Sequence, residues 1–298
     1  MLKFTLKKNL VISIFLTLIW IGFSQNELYV KFLDGNVFKK VELENYIAGV
    51  VSKEMGEKWP EESLKAQAVV SRTYLIWKMQ TKKNSFYDIE NSIYHQVFED
   101  CKSEKIKKLV NETRGEIIVT HDEKIVPVFF HACSGGYTAN PSDVWGGIYP
   151  YNISIVDYYC KDSPYLRWKK TLTKKYLSEI LGIQIKKLEV IERDKSGRIK
   201  ILHIIDKNDK INELSGHKFR LKVNEKTKVS FNNPYIIPST MFEIEDIGNA
   251  IIFKGQGYGH GVGLCQYGAK KMAEEGFNYR EILKFYFPNF IVKNLSEF

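Results

Sequence analysis

The chain has 298 residues, of which 44% are hydrophobic and 13% aromatic, and it carries a net charge of +9. This length and composition predict a globular protein with a sizeable core, and they exclude a disordered or fibrous chain. The positive charge suits anionic wall polymers or lipid headgroups as partners, and a solvated basic surface without a partner is the alternative. The absence of a nucleic-acid-binding motif in the sequence argues against nucleic acid.

The first 24 residues have the charge order of an export signal. Lysines precede an uncharged apolar run from 10 to 23, and Gly22 and Ser24 suit cleavage by a signal peptidase. The run is short for a helix that crosses a bilayer. We therefore predict export to the periplasm or cell wall, with residues 1–24 as a cleaved signal peptide or as an anchor that is the only membrane contact.

The next elements in the chain are a predicted hairpin, with strands at 28–32 and 37–41, and a helix that contains Glu54. Ile47, Val50 and Val51 form the apolar stripe of this helix, and Glu54 occupies the following position on the stripe. A carboxyl group held against apolar walls loses hydration in its charged form, so its pKa rises and it can donate a proton. The alternative is a glutamate at a helix end that reaches into water.

The remaining pattern predicts an α+β fold, in which helices pack on antiparallel strands beside a smaller α+β insertion. The predicted domains are 25–167, which contains the Glu54 helix, the insertion 168–249, and 250–298, which completes the core with a glycine-rich loop and helices. The predicted helices span 60–80, 102–110 and 174–181, and the predicted strands span 116–120, 125–130, 187–193, 199–205 and 250–254.

A candidate ligand loop follows the predicted strand 125–130. This strand leads to the run Ser134-Gly135-Gly136, whose backbone N–H groups we expect to be unpaired at a sheet edge and able to receive a ligand. Trp145 stands in the aromatic, glycine-rich segment that follows. Such a composition suits the stacking of sugar rings, and it is equally typical of a packed surface loop.

The second candidate loop, 255–269, alternates glycine with other residues. Without side-chain walls, its backbone can approach a ligand and His260 can project from it. The glycine spacing fits neither the dinucleotide-binding motif nor the P-loop, which argues against nucleotide binding. A purely structural glycine turn is the alternative.

Four sequence blocks occur in a fixed order: 50–55 (Val-Val-Ser-Lys-Glu-Met), 66–74 (Ala-Gln-Ala-Val-Val-Ser-Arg-Thr-Tyr), 134–138 (Ser-Gly-Gly-Tyr-Thr) and 257–263 (Gly-Tyr-Gly-His-Gly-Val-Gly) with 266–269 (Gln-Tyr-Gly-Ala). Together they resemble the family of stage II sporulation protein D and the amidase enhancer. The resemblance implies a peptidoglycan lytic transglycosylase that forms a 1,6-anhydro end on N-acetylmuramic acid. It further implies that Glu54 is the general acid and then the base, since the substrate's own 6-hydroxyl replaces the second carboxylate of ordinary glycosidases.

The resemblance also implies which side chains line the substrate cleft and which partners the protein has. The expected lining residues are Arg72, Gln96, His131, Ser134, Tyr137, Gly257, His260 and Gln266, to which the two candidate loops add Gly135, Trp145 and Tyr258. The expected partners are peptidoglycan glycan strands and a cell-wall amidase, and we expect no cofactor. For Arg72 the residue pattern itself leaves three alternatives: a carboxylate partner, an anionic ligand, or a plain surface position.

Cysteine and histidine leave further alternatives. Some members of this family bind zinc through cysteines just before the glutamine that corresponds to Gln96, but this chain has His95 there, with Cys101 nearby. We assign no metal site, and zinc at His95, Cys101 and His131 is the alternative. The four cysteines are an even set whose pairing the spacing does not decide, and a cysteine nucleophile is disfavoured because no orienting acid is evident.

Two functions of other classes compete with the enzyme. One is a non-catalytic wall-binding protein that activates an N-acetylmuramoyl-L-alanine amidase. The other is an exported carbohydrate-binding protein without turnover, for which Trp145 and Tyr258 would carry the binding.

Overall fold

A computed structural model describes residues 28–82, 85–92, 95–225, 230 and 232–298. The predicted export signal, residues 1–24, lies outside this range. Within the described residues, no helix combines the length and the apolarity needed to cross a membrane.

The described residues form eight α-helices and thirteen β-strands in several small sheets, which confirms the predicted α+β class. The helices are α1 (Leu43–Glu54), α2 (Glu61–Thr81), α3 (Glu104–Glu112), α4 (Pro141–Trp145), α5 (Lys174–Leu181), α6 (Gly216–Glu225), α7 (Gln266–Glu274) and α8 (Tyr279–Tyr286). The strands are β1 (Tyr29–Asp34), β2 (Val37–Glu42), β3 (Ile89–Glu90), β4 (Glu116–Thr120), β5 (Phe130–His131), β6 (Arg167–Thr173), β7 (Ile185–Arg193), β8 (Ile199–Asp206), β9 (Ile211–Ser215), β10 (Met241–Asp246), β11 (Ala250–Gln256), β12 (Leu264–Cys265) and β13 (Phe290–Asn294).

The chain divides into two compact units. The first unit contains the chain up to Glu57 together with Ser71–Pro127 and Ile291–Phe298, and the second contains Lys58–Val70 and Val128–Phe290. The division falls within α2. The predicted insertion, 168–249, lies wholly within the second unit, and its boundaries stay predictions.

In the first unit, α1 packs on the hairpin β1–β2, which is antiparallel as predicted, and β1 also pairs in parallel with β3. Tyr46 of α1 stacks on Phe98 with ring centroids 5.2 Å apart, and both rings contact Phe32. A Cβ atom at Gly49 would overlap the Phe98 ring. This close approach explains a glycine inside a helix, where it costs about 1 kcal/mol relative to alanine.

The second unit has a core between two antiparallel three-stranded sheets, of strand order β10-β11-β6 and β7-β8-β9, and the helices α5 and α6. Side chains such as Leu202, Phe219 and Phe253 in this core are fully buried. The sequence predicted β7, β8, β11 and α5, whereas β6, β9, β10 and α6 were not predicted. The expectation of antiparallel strands holds for these sheets, but β5 and β12 pair in parallel.

The predicted strand 125–130 is wrong in extent, because only Phe130 and His131 form a strand there. Pro127 has no backbone N–H to donate to a ladder, so it interrupts a run that otherwise looks like a strand. Val126 and Val128 are still buried, at 5% and 0% exposure. Their apolar character therefore reflects burial without strand pairing.

Candidate functional site

Glu54 is the last residue of α1 in the first unit. Helix α1 begins after Glu42, whose side chain accepts a hydrogen bond from the backbone N–H of Asn45 at 2.9 Å. The inward-facing positions Ile47 and Val50 have 0% exposure, and Glu54 is half-buried. The sequence stripe therefore ends in a carboxyl group that lies between the apolar interior and solvent.

Arg72 is fully buried in the first unit and binds Glu44, a carboxylate that the sequence pattern did not single out. Its Nη2 lies 2.5 Å from Oε2 of Glu44, and its Nε lies 3.1 Å from both carboxylate oxygens. Its Nη1 and Nη2 also donate to the backbone carbonyls of Glu116 and Val110, at 2.9 and 3.3 Å. Of the alternatives left open for Arg72, the structure shows the carboxylate partner, and its role in substrate binding stays a prediction.

Gln96 is also buried in the first unit, at 1% exposure. Its Nε2 donates to the backbone carbonyl of Ser71 at 3.0 Å, and its Oε1 has no hydrogen-bond partner among the described residues. His95 lies 3.7 Å from Glu90, and Cys101 donates to the carbonyl of Ser103 at 3.6 Å. The structure thus shows one structural hydrogen bond for Gln96, and its role in substrate binding stays a prediction.

In the second unit, His131 and His260 form a pair of neutral imidazoles. Nδ1 of His131 donates to the carbonyl of Val262 at 3.1 Å, and the N–H of Val262 donates to Nδ1 of His260 at 3.0 Å. His131 therefore carries its proton on Nδ1 and His260 carries its proton on Nε2. Burial lowers the pKa of His131 to about 3, and burial together with the neighbouring His131 lowers the pKa of His260 well below its usual value. Both rings thus stay uncharged near neutral pH.

Aromatic rings surround this histidine pair. The ring centroid of His260 lies 5.7 Å from that of His131 and 5.1 Å from that of Trp145. Trp145 also packs against Phe129 and Tyr149, and it is itself half-buried. A partly accessible indole beside two neutral imidazoles can stack on a sugar ring and exchange hydrogen bonds with its hydroxyl groups.

The backbone of the Ser134-Gly135-Gly136 run is less available than the sequence suggested. The N–H of Ser134 donates to Sγ of Cys265 at 3.2 Å, and the N–H of Gly136 donates to Oγ of Ser134 at 3.1 Å. Oγ of Ser134 in turn donates to Asp157 at 2.8 Å, and burial raises the pKa of Asp157 to about 6. The prediction of unpaired N–H groups is therefore wrong for Ser134 and Gly136, because a buried side chain uses each of them.

At several of the alternating glycines of 255–269, other residues of the protein pack directly against the loop backbone. A Cβ atom at Gly261 would overlap the guanidinium group of Arg198, and one at Gly263 would overlap the carbonyl of Phe129. Arg198, at 1% exposure, donates through Nη2 and Nη1 to the carbonyls of Ser134 and Tyr137, at 2.6 and 2.7 Å. The alternative of a structural glycine loop thus has direct support at these positions, and Arg198 joins this loop to the Ser134 run.

The other predicted site residues of the second unit lie on the same two loops. Gln266 is 4% exposed, and its Nε2 donates to Oε1 of Gln67 at 3.3 Å. The carbonyl of Gly257 accepts from Nε1 of Trp168 at 3.0 Å, and the half-buried Tyr258 packs edge-on against Tyr165. The structure therefore places Glu54, Arg72 and Gln96 in the first unit, and His131, Ser134, Gly135, Tyr137, Trp145, Gly257, Tyr258, His260 and Gln266 in the second.

Comparisons with known proteins identify relatives over most of the chain. A family model described as Stage II sporulation protein matches residues 34–120, and a model described as a domain of unknown function matches 152–263. An uncharacterised protein of Brachyspira hyodysenteriae is 32% identical over 84% of this chain and 66% of its own length. Stage II sporulation protein D of Bacillus subtilis is 29% identical over 87% of this chain and 77% of its own length. The Amidase enhancer of Bacillus subtilis is 28% identical over 81% of this chain, which spans only 39% of that relative.

Proposed function

We propose that this chain, which belongs to the stage II sporulation protein D and amidase-enhancer family, is an exported lytic transglycosylase of peptidoglycan. The observation that carries the proposal is the position of Glu54. It ends the buried stripe of α1 as a half-buried carboxyl group, and it lies inside the region that the family model matches. The last turn of a helix holds the negative end of the backbone dipole, which disfavours a carboxylate and suits a group that must begin the reaction protonated.

The proposed reaction needs one carboxyl group. Glu54 donates its proton to the glycosidic oxygen between N-acetylmuramic acid and N-acetylglucosamine as the bond to the anomeric carbon breaks. The 6-hydroxyl of the same muramic acid residue then attacks that carbon, and the Glu54 carboxylate accepts the hydroxyl proton. The products are an N-acetylglucosamine end with a free hydroxyl and a 1,6-anhydro end, and Glu54 is protonated again. Because the nucleophile is part of the substrate, it is already close to the reacting carbon.

Glu44 is the competing buried carboxylate in α1, and its contacts disqualify it. Two nitrogens of the Arg72 guanidinium and the N–H of Gly115, at 3.1 Å, bind its oxygens. Because these partners inside the protein hold both oxygens, Glu44 is not available to a substrate. Glu44, in the first turn of α1, therefore has a structural role, and Glu54, the last residue of α1, is the proposed catalytic residue.

The second unit contains a proposed glycan-binding surface of its own. Trp145 offers a half-buried aromatic face, and Nε2 of His260 carries a proton for donation. Behind them, the buried Nε2 of His131 has no partner among the described residues. Neutral imidazoles suit the uncharged hydroxyl and acetamido groups of the glycan, since they bring no desolvation cost of a full charge.

A second candidate function is a non-catalytic activator of a cell-wall amidase. The specific observation in its favour is the similarity to the relative named Amidase enhancer, which the catalytic proposal does not require. Both functions use the same glycan-binding surface. They differ in whether Glu54 is needed.

The experiment that separates them compares two variants on two substrates. Glu54→Gln removes the proton donor with little change in shape, and Glu57→Gln changes an exposed glutamate just beyond the same helix. On peptide-stripped glycan strands, the wild type and Glu57→Gln should release anhydro ends, while Glu54→Gln should be at least about 100-fold slower.

The second substrate is intact peptidoglycan with an added N-acetylmuramoyl-L-alanine amidase. If the wild type releases no anhydro ends, and the amidase is stimulated equally by the wild type and Glu54→Gln, the activator function replaces the enzyme. If Glu54→Gln keeps wild-type turnover, another group is the acid.

A further inference from the structure

Three cysteines and an aspartate meet in the interior of the second unit. Sγ of Cys133 lies 3.5 Å from Sγ of Cys160, and the ligand atoms of Asp157, Cys160 and Cys265 all lie within 4.8 Å of one another. All four side chains are buried, with exposures of 0% for the cysteines and 1% for the aspartate. Neither the proposed glycan surface nor the proposed chemistry at Glu54 uses them.

The four side chains come from three separate segments. Cys133 follows strand β5. Cys160 lies in the 3-10 turn Tyr158–Asp162, and Asp157 caps the N-terminus of that turn. Cys265 caps the N-terminus of α7, where its Sγ accepts a hydrogen bond from the N–H of Gly268 at 3.3 Å. A group that bound all four would fasten these three segments to one another.

Hydrogen-bond donors and a buried positive charge lie around the sulfur atoms. Two backbone N–H groups, of Ser134 and Gly268, point at Sγ of Cys265, and the positive end of the α7 dipole lies at the same atom. Oγ of Ser134 also lies 3.0 Å from Sγ of Cys160. Buried Arg198 donates to the carbonyl of Ser134, and it adds a positive charge near the cluster. These donors and charges would offset the negative charge of several thiolates at one place.

We propose that Cys133, Cys160, Cys265 and Asp157 form a zinc site. A zinc–sulfur bond of about 2.3 Å places two sulfur ligands of a tetrahedral ion about 3.8 Å apart, close to the spacing of Cys133 and Cys160. Asp157, Cys160 and Cys265 form the set whose ligand atoms lie within 4.8 Å of one another, and Cys133, 3.5 Å from Cys160, is the proposed fourth ligand. Three thiolates and one carboxylate would then give the four-coordination typical of a structural zinc ion. On binding, the three thiols release their protons to solvent and the ion takes their place, with no change of oxidation state.

A disulfide is the competing use of the same cysteines. It would join two sulfur atoms and leave the third thiol and the buried carboxyl group of Asp157 without a partner of opposite charge. A cation uses all four groups, and Oγ of Ser134, which donates to Asp157, then orients a metal ligand. The zinc site therefore accounts for more of this cluster than a disulfide does.

The test measures metal in the full chain, purified under reducing conditions without chelator. We expect about one zinc ion per chain by mass spectrometry of the metal, since a four-ligand site is closed. After the zinc is removed, titrated cobalt should give the visible bands of a tetrahedral ion and the near-ultraviolet charge transfer of thiolate ligands. Cys265→Ser should lose most of the bound metal and of the charge-transfer absorbance, whereas Cys101→Ser, which changes the half-buried cysteine of the first unit, should keep both.

A measurement on the wild type covers the case in which Cys265→Ser does not fold. In the native holoprotein, an alkylating reagent should modify Cys101 alone, and it should reach the three cluster cysteines only after a chelator is added. The proposal is overturned if the purified protein holds no metal and gives no cobalt charge-transfer absorbance. It is also overturned if peptides from non-reduced protein contain a Cys133–Cys160 disulfide, or if Cys101→Ser loses as much metal as Cys265→Ser. None of these results depends on glycan turnover, so the zinc site and the proposed function fail separately.

Discussion

The buried ion pair of Arg72 and Glu44 allows a quantitative prediction about the first unit. The perturbation is Arg72→Met, which keeps an unbranched apolar chain of similar length and removes the guanidinium group. Glu44, at 5% exposure, then keeps only the N–H of Gly115 among its described partners. A charged carboxylate is left buried without its counterion.

The expected cost follows from this geometry. Breaking a buried, hydrogen-bonded ion pair by removing one partner costs about 3–5 kcal/mol. The carbonyl of Glu116 also loses the Arg72 donor, whereas the carbonyl of Val110 keeps the donors of Thr113. The double variant Arg72→Met with Glu44→Leu should be more stable than Arg72→Met alone, because it no longer buries an unpaired charge.

The assay is urea unfolding followed by intrinsic fluorescence, with the free energy of unfolding compared among variants. Arg114→Met is the matched control, because Arg114 pairs with Glu42 at 3.0 Å but is 54% exposed. Such a surface pair contributes about 0–1 kcal/mol. The argument that the buried Arg72–Glu44 pair stabilises the first unit is refuted in either of two cases. In the first, Arg72→Met lowers the free energy of unfolding no more than Arg114→Met does. In the second, adding Glu44→Leu to Arg72→Met lowers it further.

Two further predictions concern the second unit. Gly261→Ala should destabilise the protein by about 1–2 kcal/mol more than Gly248→Ala. Both glycines have positive φ, but only a Cβ atom at Gly261 would overlap Arg198. Equal losses of unfolding free energy in the two variants would contradict the role assigned to Arg198. Burial lowers the pKa of His217 to about 4, so the unfolded chain binds its proton first and stability falls as pH drops from 6.5 to 4. His217→Gln should reduce this fall by about 2 kcal/mol, after an allowance for the partial exposure of the ring. His203→Gln is the control, because His203 is half-buried with its Nε2 3.1 Å from Glu213. An unchanged pH profile in His217→Gln would contradict the burial argument.

The elements that the sequence predicted well are those whose signals are local. The hairpin turn around Gly35 and the acidic first turn of α2 need only neighbouring residues to be recognised. Helix α6 was missed because Ser215-Gly216 resembles a turn. Gly216 is required there for another reason, since a Cβ atom would overlap the carbonyl of Ile199 from a different strand. A tertiary contact therefore produced a residue pattern that locally indicates a loop.

In the candidate site, too, local patterns could be predicted from the sequence and long-range contacts could not. The position of Glu54 on its stripe could be predicted, because the helical period places it. Glu44 could not, because its partner Arg72 is 28 residues away in the sequence. Arg198 was not among the predicted site residues, yet it is buried and donates to the carbonyl of Ser134, 64 residues away. Contacts of this kind follow from the packed fold, and no local pattern indicates them.

The most direct test of the proposed function is the mass of the new chain end when the wild-type protein digests glycan strands in heavy-oxygen water. Attack by the substrate's own 6-hydroxyl predicts an end that is lighter by one water than a hydrolysed end and that contains no heavy oxygen. A heavier end that carries the solvent label would contradict the transglycosylase mechanism, because water would then be the nucleophile and Glu54 would need a second catalytic carboxylate.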